Sequence, residues 1–166
     1  MRVTDLNALG HQQAENLYAQ CCASIAWVER MVEGHPYESK DSLLRAASLN
    51  WDNLNERDYL QAFEGHPQIG GLKSSKKLSE NALELASQEQ TGMILADEDL
   101  VTELKRLNVS YEKKFGFIFI VCASGKSASQ MLSILKDRLT HNRNEELGIA
   151  IEEQRKIFLI RLEKLL

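Results

Sequence analysis

Proline is almost missing from this 166-residue chain, which has 2. Both follow histidine, as His35-Pro36 and His66-Pro67. Proline breaks helices by removing an N–H and clashing with the preceding turn, so its scarcity leaves long stretches open to helix. Cysteine is scarce too, at 3. Cys21 and Cys22 are adjacent and Cys122 stands apart, which excludes a disulfide framework or a metal-ligand spacing. They read as small buried hydrophobes in a reducing, cytoplasmic compartment. No apolar run nears the roughly 18 residues a bilayer span needs. Met1 to Gln13 lacks the apolar core of a signal peptide, and Glu163 to Leu166 is no peroxisomal or ER-retention tail. No membrane role is therefore expected. Positive charge is not in excess: the net charge is −4. Basic residues are scattered apart from Lys73, Lys76 and Lys77, which argues against broad nucleic-acid binding. A small anionic ligand needs only local cations and stays open. No two histidines stand at metal-ligand spacing, so no metal site is expected.

What remains is an ordinary globular composition, 43% hydrophobic and 27% charged. The length suggests one domain, 1–166, with no linker. Apolar residues recur at three- and four-residue steps, the helical period. The spacing predicts a helix over 11–33, stopped by Gly34 and Pro36. Ser39 or Asp41 caps the next, with Leu43, Leu44, Ala47 and Leu49 as its apolar side. Asn55 with Asp58 opens a short helix ended by Gly65. Ser79 caps one running through Gln90, and Asp97 caps one ending near Gly116. Two more follow near 127–140 and 144–165. Gly70–Ser79 reads as a surface loop. The segment 115–123, Phe-Gly-Phe-Ile-Phe-Ile-Val-Cys-Ala, is aromatic and β-branched and resists helix. It predicts one buried extended link in an all-α, single-domain helical bundle. Its backbone N–H and C=O groups must find partners, and a ligand can be one.

Polar residues on apolar faces mark candidate chemistry. Glu89 continues the stripe of Ala82, Leu85 and Ala86, with Gln90 beside it. Arg161 lies on the last helix's inner side with Leu147, Ile151, Gln154, Ile157, Phe158, Leu162 and Leu165. Buried charges are costly unless paired, so the two imply a structural ion pair or a lined pocket. Periodicity alone favours the structural role. His66 lies between Gly65 and Pro67, and Gly70 and Gly71 follow. Pro67 restricts the residue before it, which can hold the imidazole in a fixed direction. Histidine titrates near neutrality and suits proton transfer. His35 reads as the exposed neighbour of a helix terminator, and His11 and His141 as surface residues.

Four motifs in order then resemble a known family. They are Gly-His66-Pro67-Gln-Ile-Gly70-Gly, Ser87-Gln88-Glu89-Gln90-Thr-Gly92, Lys114-Phe115-Gly116-Phe117-Ile-Phe119, and Arg161-Leu162. Together, over nearly the whole chain, they resemble the OHCU decarboxylases. These act on 2-oxo-4-hydroxy-4-carboxy-5-ureidoimidazoline (OHCU), the last intermediate between urate and allantoin. The resemblance implies a single all-α domain, usually a homodimer. It implies His66 as general acid and Glu89 as its catalytic companion. It implies substrate contacts from Pro67, Ser87, Gln90, Arg161 and the backbone of Phe119, Ile120, Val121, Cys122 and Ala123. Two positions depart from the family pattern. Ile118 stands where many members have proline, and Ala86 where many have serine, with Ser87 as the nearest replacement.

The implied reaction is cofactor-independent decarboxylation to (S)-allantoin. The substrate's own imine accepts the electrons, so no cofactor is expected. Two other readings compete: a non-catalytic all-α binding module, and a different cofactor-free lyase or isomerase acting on a ureido-imidazole compound.

Overall fold

The computed structural model describes residues 1–70, 80–93 and 96–166, and at 80–83, 86 and 92 the backbone alone. The expected Ser79 cap and the loop bearing Lys73, Lys76 and Lys77 lie outside the described residues, as do the side chains of Ala82 and Ala86. Among the described residues there are nine α-helices and no strand. They are α1 (Val3–Asn7), α2 (His11–Cys21), α3 (Ile25–Glu33), α4 (Lys40–Asp52), α5 (Glu56–Glu64), α6 (Glu80–Glu89), α7 (Glu98–Phe115), α8 (Ala128–Arg138) and α9 (Arg143–Leu165). A 3-10 turn, Thr91–Met93, follows α6. The protein is all-α. No helix among the described residues is long and apolar enough to cross a membrane.

The chain forms two compact units, one of residues 1–62 and 155–166 and one of residues 63–154. The first unit is built on aromatic packing. Trp27 and Trp51, both fully buried, meet Phe158 of α9 at ring-centre distances of 5.0 and 5.4 Å. The Trp27 indole N–H donates to the Ala47 carbonyl at 2.9 Å, so this large apolar side chain leaves no polar atom stranded. Truncating such a residue costs about 3–5 kcal/mol.

The continuous helix expected over 11–33 is two helices. Cys22 is extended (φ −149°, ψ 129°), and the Ser24 side chain accepts the Trp27 N–H to start α3. A serine cap satisfies a donor at the helix start, which offsets the break. Ser39 caps α4, whose buried face is Leu43, Ala47 and Trp51. Leu49 is exposed, contrary to expectation, because steps of four from Leu43 carry the buried stripe past it. His35 is half-buried rather than exposed, and its Nε2 meets the Tyr18 hydroxyl at 2.7 Å.

The second unit holds the link. Asp97 caps α7 and Gly116 ends it in the left-handed region at φ 81°. The link then packs its rings on α7: Tyr111 stands 5.4 Å from Phe119, and Phe115 stacks 6.1 Å from Phe117. Phe63, at the end of α5, lies 5.5 Å from Phe117. The segment is buried as expected, in no strand.

Candidate active site

The turn after α5 carries the first candidate residues. The His66 N–H donates to the Phe63 carbonyl at 3.1 Å, and Pro67 keeps the helix from continuing. Pro67 is buried and His66 half-buried. Two side chains hold the backbone that follows. Asn108 Nδ2, from α7, donates to the Ile69 carbonyl at 3.1 Å. Gln90 Oε1, just past α6, accepts the Gly70 N–H at 3.1 Å. Gly70 sits at φ 75°, where an L side chain is strained, and a Cβ there would stand 3.2 Å from Met93 Cε. The positive φ is what favours glycine there, since Met93 can shift its methyl.

Glu89 and Gln90 are buried at the end of α6, while Ser87 is exposed. Phe119 to Ala123 are between 2% and 7% exposed, so the whole segment is buried. Burial pushes the Cys122 thiol above its usual range. Lys126 and a backbone hydrogen bond from Ser124 pull it down, and the charges of Glu153 and Glu89 push it up. The second unit thus contains the His66-Pro67 turn, Ser87, Glu89, Gln90 and Phe119–Ala123. Its geometry joins Gln90 to the turn.

Arg161 belongs to the first unit. It is 6% exposed, and its Nη1 donates to the Gln20 and Cys21 carbonyls at 3.3 and 3.2 Å. Those carbonyls end α2, whose last turn has no basic residue of its own. A cation at a helix C-terminus meets orphan carbonyls and the negative end of the dipole.

Comparison with known proteins turns on one match: the family model described as OHCU decarboxylase matches residues 7–163. The chain belongs to the OHCU decarboxylase family. A uric acid degradation bifunctional protein of Arabidopsis thaliana is 37% identical over 91% of the chain. The chain spans 47% of that relative's length. The 2-oxo-4-hydroxy-4-carboxy-5-ureidoimidazoline decarboxylase of Amia calva is 26% identical, with 100% of this chain and 95% of the relative covered. A crystal structure of an OHCU decarboxylase in the presence of (S)-allantoin is 36% identical, with a TM-score of 0.77, covering 89% of this chain and 95% of that one.

Within this OHCU decarboxylase family member, sequence reasoning missed a buried ionic cluster in the second unit. Arg138 and Glu146 are 6% and 0% exposed in their side chains and stand 2.5 Å apart. Tyr111 donates its hydroxyl hydrogen to Glu146 Oε1. His141, expected at the surface, is partly buried, and its Nδ1 meets Glu146 Oε2 at 2.9 Å. A signal for the cluster was present. Arg138 follows Met131 and Leu135 at helical steps on α8, and Glu146 precedes the buried Ala150 and Gln154 by steps of four.

Proposed function

We propose that this protein decarboxylates OHCU to (S)-allantoin in urate degradation, as a carboxy-lyase, with residues 1–166 acting as one functional domain. The substrate's leaving carboxylate sits on a ring carbon that also bears a hydroxyl. As the carbon–carbon bond breaks, CO2 leaves and the bonding pair moves into the neighbouring C=N. The substrate is its own electron sink, so the chemistry asks for no cofactor. A proton is then delivered to one face of the adjacent carbon, while the hydroxyl proton passes to the ring nitrogen that took the electrons and the C–OH becomes the ring carbonyl. His66 is the general acid in this reading, a role worth about 10²–10⁴-fold. Glu89 orients His66 or accepts from the hydroxyl. Gln90 reads amide groups, and Pro67 and Ser87 line the substrate's place. Arg161 takes an anionic oxygen, for which its fork suits bidentate binding. The backbone of Phe119–Ala123 holds the flat ring.

The observation that carries this reading is the Gln90–Gly70 hydrogen bond, because it ties the Glu89-Gln90 motif to the His66-Pro67 turn. The name of the relative crystallised with (S)-allantoin supports the choice of product. The reading places the protein in the cytoplasm as a homodimer; three buried thiols support a reducing compartment. The test is to add the protein to freshly generated OHCU and follow circular dichroism. Fast appearance of (S)-allantoin is expected. Formation of racemate at the uncatalysed rate would leave a binding module as the better account.

A further inference from the structure

The link's backbone is gripped from α8 and α9, and the grip has a direction. Arg138 Nη1 donates to the Ile120 carbonyl at 2.6 Å. Glu153, on α9, accepts the Cys122 N–H on Oε2 at 2.7 Å. Lys126 Nζ donates to the Cys122 carbonyl at 2.7 Å. A trans peptide is planar with its C=O and N–H opposed. Among the described residues the link carries no cis bond, so its peptides are trans. Fixing the Ile120 carbonyl toward Arg138 aims the Val121 N–H away from it. Fixing the Cys122 N–H toward Glu153 aims the Val121 carbonyl away from Glu153. No hydrogen bond among the described residues engages either group of Val121. One residue thus presents a donor and an acceptor, the complement of an amide or ureide edge.

We propose that Arg138 and Glu153 are positioning residues that aim the Val121 backbone at an amide or ureide edge of the substrate. This rests on the proposed OHCU reading. The Arg138–Glu146 pair is buried, and such a pair is a poor source of net stability compared with apolar residues of similar size. What an apolar replacement cannot do is hold the Ile120 carbonyl. Glu146, held by Tyr111 and His141, fixes the guanidinium that does so. Glu153 grips the next peptide by accepting its N–H on a carboxylate oxygen, a bond a glutamine amide oxygen can also accept.

The test uses Glu153→Ala, Glu153→Gln and the double replacement Arg138→Met with Glu146→Leu. Each is assayed on fresh OHCU beside wild type, with a thermal melt. Misaiming a substrate contact costs on the order of tenfold or more in kcat/KM. Glu153→Ala is expected to lose at least about that, with a lower melt because the buried Cys122 N–H loses its acceptor, and Glu153→Gln to recover most of both. The double replacement should lose kcat/KM likewise, with a lower melt because the Ile120 carbonyl and the Tyr111 hydroxyl lose their partners. In 15N spectra, added (S)-allantoin should shift the Val121 amide in wild type and less in the double replacement, which frees the Ile120 carbonyl that aims it. An active wild type with Glu153→Ala at full kcat/KM, or with Glu153→Gln no better than Ala, overturns the positioning role alone. An inactive wild type overturns the OHCU reading and this inference with it.

Discussion

The two histidine-proline turns share a dipeptide and differ in almost everything around it. In the first unit, His35 is closed in by aromatic rings. Its centre lies 5.6 Å from Tyr18 and 5.2 Å from Tyr37, and the Tyr18 hydroxyl takes its Nε2. Its ring is committed to packing. In the second unit, the protein instead fastens the backbone after His66: Asn108 holds Ile69, and Gln90 holds Gly70. A histidine wedged by its ring is a structural part. The held backbone after His66 fits the proposed role of a side chain aimed at substrate. Chemistry near neutrality needs the second arrangement.

That contrast can be broken from either side. His66→Asn should lower turnover of OHCU by about 10²–10⁴-fold while leaving the thermal melt unchanged. A lowered melt with intact turnover would make His66 structural. Gly70→Ala should cost about 1–2 kcal/mol in denaturant unfolding, because it forces a Cβ into the left-handed region. It should also reduce turnover by disturbing the turn that Gln90 holds. His35→Asn should cost about 1 kcal/mol, the worth of the Tyr18 hydrogen bond, and leave turnover intact.

The smallest effect is in pH. Burial lowers the His35 pKa below its ordinary value of 6.5. The folded state then favours the neutral ring, so His35 contributes stability above the unfolded pKa. That contribution fades as the pH falls through 6.5 toward the lower folded value. The melting temperature of wild type should therefore drop more than that of His35→Asn between about pH 7 and pH 5. Equal drops would remove the histidine from the effect.

Local signals made much of the fold readable. Ser39, the Asn55–Asp58 pair and the Asp97 to Gly116 span declare helix ends through side chains that satisfy orphan N–H groups or permit positive φ. The break at Cys22–Ser24 was hidden because Cys21 and Ile25 keep a four-residue step across it, so the apolar stripe continues through the gap. Of the candidate site, the residues of the His66 turn, the buried Glu89 and the link were readable from spacing, proline and composition. Their mutual placement was not, since Gln90 and Gly70 lie twenty residues apart and only the folded chain joins them. Arg161 was readable as buried, but its capping of α2 depends on residues 140 positions away. Arg138 and Glu146 each fit an apolar stripe, and neither stripe by itself indicates the other.

The most direct test sets the two turns side by side. His66→Asn and His35→Asn are each mixed with freshly generated OHCU, and the handedness of the allantoin is read by circular dichroism. The account predicts racemic product at the uncatalysed rate with His66→Asn, and (S)-allantoin at the wild-type rate with His35→Asn. Rapid (S)-allantoin from His66→Asn would contradict it.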